Sequence, residues 1–291
     1  MVSETEIVLE FSQPVTVISV SFDPYIMIGS IEDEGTIVSI FLEEQLIPGM
    51  PFTAELMVEN EQGSSLGIAV PLRARNNHVP QLLINELRTV YSGTQSRVEF
   101  IEFRIQTRGN LGALRVFAVS NNNNSMIYHF LPVEVQAGEL VVLHLRTPND
   151  ASVDEYGDNL AESGGMDASH TARDFWIPGS AKLLRSTDAV YVLDQDDRVL
   201  DAVMISETRD PWWNSSTIAL AAEMLFLKGA WTSVTGGLAG PADAVDSSGI
   251  GSAATRSISR DESMENTKTA ASWFVTATGG VTPGLPNRPR N

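Results

Sequence analysis

Between Glu6 and Ala74 the chain is written in runs of six to nine residues: "EIVLEF", "VTVISVSF", "TIVSIFL", "FTAELMVE" and "LGIAVPLRA". Each is rich in Val, Ile, Leu or Phe, and turn chemistry such as "IPGMP" and "ENEQGSS" separates them. Runs of this length are too short for helices and match half-buried strands, above all where apolar and polar residues alternate, as in "TIVSIFL" and "FTAELMVE". Strands at this spacing, joined by tight turns, predict a small antiparallel sandwich.

"RNNHVP" then reads as a linker, and the strand rhythm restarts in "QLLINEL", "RVEFIEFRI", "ALRVFAVS", "SMIYHFL", "ELVVLHLR", "AVYVLDQ" and "VLDAVMIS". The expected organisation is therefore all-β, with one sandwich over 1–78 and a second over 79–291. In "ELVVLHLR" both alternating faces carry apolar residues, which predicts a strand covered on both sides. In "SRVEFIEFRI" the apolar positions change phase at Phe100–Ile101, as an inserted bulge residue in that strand would produce.

Two excursions expand the second domain. Residues 148–180 read as loop, rich in Asp, Ser and Gly, and 206–255 contain the one strong helix signal, "SSTIALAAEMLFLKG". Ser215 or Ser216 is placed to cap that helix and Gly229 to end it. Its apolar residues extend around most of the cylinder, which predicts a buried helix.

The length of 291 residues corresponds to about two domains. No apolar run reaches the roughly 18 residues of a membrane span. The start "MVSETEIVLEF" carries no signal sequence, so an exported protein would have lost its targeting segment. With no cysteine, disulfides, thiol catalysis and Cys-based metal sites are excluded. The net charge is −18, and residues 1–80 hold 12 acidic against 2 basic residues. Such a surface repels phosphate backbones and argues against nucleic acid as a partner.

"LLINELRTVYSGTQSRVEFIEFRIQTRGNLGALRVFAVSN", "IYHFLPVEVQAGELVVLHL", "RVLDAVMIS" and "SWFVTATGGVTPGLPN" together resemble the lamin tail domain in its bacterial form. Asn85, Glu86, Glu99, Phe100, Glu102, Gly138, Asp201, Trp273, Thr282, Pro283, Gly284 and Asn287 carry the resemblance, and Arg256 or Arg260 fits the family's Arg-bearing strand. Ala113 and "QAGE" depart from its pattern, as do the two long insertions. Residues 1–78 resemble a bacterial immunoglobulin-like domain, through "IVLEFSQPVTV" and "LIPGMPFTAELMVENEQGSSL". Both resemblances imply immunoglobulin-like sandwiches that serve attachment, spacing or recognition at the cell envelope or outside the cell. Neither implies an active site.

The residues themselves offer few sites. Asp150, Asp154, Glu155 and Asp158 open an acidic loop in which calcium, with its six to eight oxygen ligands, is conceivable; the spacing is not that of an EF-hand. Asp194, Asp196, Asp197 and Asp201 in "LDQDDRVLD" invite a metal reading, but a hairpin turn between two strands accounts for three of the four. His78, His129, His144 and His170 lack the spacing of a helical zinc site. Neither a G-x-S-x-G elbow nor the context of a phosphate loop is present. Trp176, Trp212 and Trp213 are the candidate contacts to a protein or glycan partner, because exposed aromatic rings anchor interfaces and stack on sugars. Trp273, by the resemblance, belongs in the core. The expectation is a non-catalytic binding or structural protein; the alternative is a carbohydrate- or calcium-dependent accessory module of a hydrolytic system.

Overall fold

The computed structural model describes residues 3–290 except Ser96, residues 121–125 and Ala253. The fold is all-β, with one α-helix among the described residues. The chain divides into two units, the first comprising Met1–Val79, Asn110–Ala113 and Phe130–Val133.

The first unit contains β1 (Glu6–Glu10), β2 (Val15–Asp23), β3 (Ile28–Glu34), β4 (Ile37–Leu42), β5 (Pro51–Asn60) and β6 (Ser65–Arg73). They form two antiparallel three-stranded sheets, β1-β4-β3 and β2-β5-β6. Alternation decides which side chains enter the core: Phe52, Ala54, Leu56 and Val58 of β5, with Val38, Ile40 and Leu42 of β4. Each fully buried Val, Leu, Ile or Phe of this set contributes about 1.5–3 kcal/mol. β3, "IGSIEDE", was not among the expected strands: it is an exposed edge with only Ile28 half-buried, so it carries no apolar alternation.

"RNNHVP" is more than a linker. Asn76 is buried, and its Nδ2 donates to the carbonyls of Asn110 (2.8 Å) and Gly112 (2.7 Å). A Cβ on Gly49 would overlap the backbone of Gly112, and Gly49 also holds φ +74°. Glycine is required there for both reasons. The first unit thus departs from the expected 1–78 by recruiting two short segments from later in the chain.

The second unit comprises Pro80–Gly109, Leu114–His129 and Glu134–Asn291. Its strands begin with β7 (Leu82–Arg88), β8 (Phe100–Ile105), β9 (Gly109–Asn110, of which Asn110 belongs to the first unit), β10 (Arg115–Ala118), β11 (Met126–His129), β12 (Glu134–Val135) and β13 (Leu140–His144). They continue with β14 (Arg173–Trp176), β15 (Asp188–Leu193), β16 (Val199–Ser206), β17 (Val245–Asp246), β18 (Ile258–Arg260) and β19 (Trp273–Val275). One sheet has the order β11-β10-β15-β16-β17 and the other β14-β13-β8-β7-β18-β19, in a sandwich-like arrangement. β13 and β15 are buried along their whole length, as apolar residues on both faces require.

Three expectations for this half are corrected. The phase change at Phe100–Ile101 is not a bulge in that strand. β8 begins there, and the register shift falls on its partner β7, between Ile84 and Glu86. Because β8 is buried on both faces, its apolar pattern could not report a face. Residues 148–180 are not all loop: they supply β14, parallel to β13, with Arg173, Asp174, Phe175 and Trp176 buried. Finally, α1 (Ser216–Leu227) is not buried all round. Capped by Ser215, it packs through Ile218, Ala221, Ala222 and Leu225 against β15 and β16. Leu220 and Leu227 are exposed.

Candidate functional site

The expected site residues are not brought together. Asp150 and Asp158 are exposed, whereas Asp154 and Glu155 serve the backbone of β14. Asp154 accepts the Trp176 N–H at 2.7 Å, and Glu155 accepts the N–H groups of Ser163 (3.0 Å) and Asp174 (2.8 Å). Among the described residues no group of three or more His, Asp or Glu side chains could hold a metal ion. The inner carboxylates of this loop stitch the insertion onto the sheet.

Trp176 is corrected as a binding residue. It is 3% exposed, stacks on His144 with ring centroids 3.8 Å apart, and donates from Nε1 to Ser163 Oγ at 3.0 Å. Trp213 is half-buried and donates to the Ala239 carbonyl at 3.0 Å. Trp212, 79% exposed, is the indole of the three that faces solvent.

Beneath Trp176, His144 Nε2 meets Asp174 Oδ1 at 2.7 Å, both side chains fully buried, and Nδ1 of His144 has no hydrogen-bond partner among the described residues. The other oxygen of Asp174 accepts the Ser169 N–H at 2.8 Å.

Several of the residues that carry the lamin-tail resemblance meet in the interior. Glu86 and Glu102 face one another across β7 and β8. Glu86 accepts hydrogen bonds from the hydroxyls of Ser257, Ser259 and Thr282 and from the Thr282 N–H. Glu102 accepts from Asn85 Nδ2 (2.8 Å) and the Gly284 N–H (2.7 Å), and Asn287 donates to the carbonyls of Asn85 and Arg260. Burial pushes Glu86 above the usual carboxylate range; burial reinforced by the Glu86 charge pushes Glu102 well above it. Between the sheets, Asp201 of β16 pairs with Arg260 of β18, and the Arg260 guanidinium lies 4.4 Å over the Trp273 ring. Of the two expected arginines, Arg260 is the buried one. Asp194, Asp196 and Asp197 do form the β15–β16 turn, in which Asp194 Oδ1 accepts the N–H groups of Asp196 and Arg198. All these groups hold the fold.

A groove of about 950 Å³ is lined by β17 and β19, the last strands of their respective sheets. Four arginines line it, Arg209, Arg256, Arg288 and Arg290, against two aspartates, Asp243 and Asp246. Both aspartates are engaged: Asp243 accepts the Gly240 N–H at 3.0 Å, and Asp246 pairs with Arg209 at 3.1 Å and accepts from Ser248. Arg256 is fastened to the Gly249 carbonyl at 2.6 Å, while Arg288 and Arg290 are exposed. Sequence reasoning missed this site. The signal was there: beyond Glu265 the chain contains Lys268, Arg288 and Arg290 and no acidic residue, in a protein of net charge −18.

Among solved structures, that of a DUF4876 family protein from Bacteroides thetaiotaomicron VPI-5482 is similar at 10% identity and a TM-score of 0.29, over 96% of this chain and 91% of that one. An uncharacterized protein of Treponema pallidum (strain Nichols) is 32% identical over 177 residues, which is 56% of this chain. The match spans 43% of that relative's length, less than half of it. Residues 80–275 match the model of the family TP_1001_2nd, "protein second domain", starting at the first residue of the second unit. The match covers more than half of the chain, which therefore belongs to the TP_1001_2nd family.

Proposed function

We propose that the chain is a non-catalytic binding and structural module of an exported protein, acting in the cell envelope or outside the cell through protein–protein contact or adhesion. The immunoglobulin-like reading of the first unit and the lamin-tail-like reading of the second belong to this proposal. The observation that carries it is the arginine-lined groove at the β17 and β19 edges, an open concave surface whose charge opposes that of the chain. The interior supports it from the other side. The His144–Asp174 pair is sealed beneath Trp176 with no exposed surface, so substrate has no route to it. Glu86, Glu102, Asp174 and Asp201 each commit their oxygens to the fold's own donors.

The test is capture of proteins from the envelope fraction of the source cells by the wild-type chain and by the charge-reversal variant Arg288→Glu/Arg290→Glu. Discrete proteins retained by the wild type and lost with the variant are the expected result. Identical capture by both would remove the reading. The exposed indole of Trp212 favours a second reading, glycan recognition. That reading requires binding on a glycan array that disappears in Trp212→Ala and persists in the arginine variant.

A further inference from the structure

We infer that the groove takes an extended acidic peptide segment, which adds as a strand to the open edge of β19; this rests on the binding reading above. The backbone supplies the first argument. In an antiparallel pair, alternate residues turn their N–H and C=O groups to the same side. The Thr276 N–H donates to the Ser257 carbonyl and the Asp261 N–H to the Ser272 carbonyl, so Ser272, Phe274 and Thr276 face β18. Trp273 and Val275 therefore direct backbone groups away from β18. The Trp273 N–H is engaged by the Ala270 carbonyl. The Val275 N–H and the carbonyls of Trp273 and Val275 remain, among the described residues, as the donor and acceptors of an unpaired strand edge, the template on which an extended peptide pairs.

Charge supplies the second argument. Of the four lining guanidinium groups, Arg209 is paired with Asp246 and Arg256 is bonded to the Gly249 carbonyl. Arg288 and Arg290 are exposed and have no carboxylate partner among the described residues, in a chain of net charge −18. A basic or neutral segment would leave Arg288 and Arg290 uncompensated, whereas carboxylates give them charge-assisted, bidentate hydrogen bonds. Arg288 and Arg290 are two positions apart, the repeat at which side chains of a bound strand return to one face. The half-exposed Phe274 offers apolar contact to the intervening residues, which share one face of the bound strand. The segment this site fits alternates acidic and β-branched residues.

The test uses the full chain and fluorescein-labelled ten-residue peptides in anisotropy titrations. The probes are a Glu/Val alternating peptide, its Lys/Val counterpart, and two Glu/Val peptides N-methylated at alternate residues in opposite registers. Citrate serves as a free carboxylate competitor. The acidic peptide should bind, weaken at least tenfold between low and physiological salt, and lose at least tenfold in affinity with Arg288→Glu/Arg290→Glu. One N-methylated register should fail while the other binds. Equal binding of the lysine peptide, equal binding of both N-methylated registers, or displacement by citrate at the peptide's own concentration would overturn the inference. So would sedimentation showing wild-type chains associated with each other and dissociated by the arginine variant, because a second copy would then be the occupant. If none of the peptides binds while envelope proteins are still captured through the arginines, strand addition fails and the binding reading survives; capture unaffected by the arginine variant removes both.

Discussion

The carboxylate of Glu102 accepts the backbone N–H of Gly284 at 2.7 Å, joining positions 182 residues apart in sequence. Gly284 holds φ +72°, and a Cβ there would overlap Ser169 and stand 2.9 Å from the Cβ of Ala172. Gly284→Ala should cost about 3 kcal/mol or more through strain and overlap, and Glu102→Ala about 1–3 kcal/mol by leaving the buried Gly284 N–H without its acceptor. Urea unfolding monitored by tryptophan fluorescence measures both. A loss below about 1 kcal/mol would mean that the C-terminal motif contributes little to stability.

Asp201→Ala should cost about 3–5 kcal/mol, because it leaves the Arg260 guanidinium buried without its partner. The double replacement Asp201→Leu/Arg260→Met should cost less than Asp201→Ala alone. A double mutant less stable than the single would assign the pair a net attraction larger than its desolvation cost.

Asp188 gives the pH dependence. Burial raises its pKa to about 6 from 3.8, against the opposing hydrogen bonds from Ser120 and from the Arg185 and Ala189 N–H groups. The folded state thus holds this proton more tightly than the unfolded chain does. The associated stabilisation is complete below 3.8 and is lost as pH rises through about 6. Burial shifts Glu86, Glu102 and Asp201 in the same direction. Melting temperatures between pH 4 and pH 7.5 should therefore slope downward less steeply in Asp188→Asn than in the wild type. An unchanged slope would remove Asp188 as a contributor.

The tryptophans separate cleanly. Trp176→Ala empties a buried, stacked position and should cost about 3–5 kcal/mol. Trp212→Ala, at an exposed indole, should stay within about 0.5 kcal/mol of the wild type. Thermal unfolding distinguishes them.

Calcium should leave the protein unmoved. Asp154 and Glu155 accept backbone N–H groups that a bound cation would have to displace. The melting temperature should be the same in millimolar CaCl₂ and in EDTA; a rise with calcium would show that Asp150 and Asp158 recruit these carboxylates after all.

Strand sequence was informative wherever one face is wet. Phe52, Ala54, Leu56 and Val58 announce β5 by simple alternation, and Ser215 with Gly229 brackets α1. It failed where local pattern and environment part company. β8 is covered on both faces, so its phase change is silent about orientation. β3, exposed along nearly its whole length, shows no apolar alternation, its two isoleucines being three positions apart. β14 lies in an Asp- and Gly-rich stretch and is held as a strand by β13, a neighbour that sequence spacing does not reveal. The acidic loop misled for a related reason: a carboxylate bound to backbone N–H groups and one bound to a cation are written with the same letter. The groove escaped notice because its arginines come from residues 209, 256, 288 and 290, which only the tertiary fold assembles.

The hold of Asn76 on the carbonyls of Asn110 and Gly112 sets an order of events during synthesis. All six strands of the first unit are available once Arg73 has left the ribosome, yet Asn110 and Gly112, whose carbonyls hold the Asn76 amide, are translated only later. The N-terminal unit must therefore wait, incompletely closed, for a later part of the chain, and severing the polypeptide after residue 79 would leave the Asn76 amide facing water.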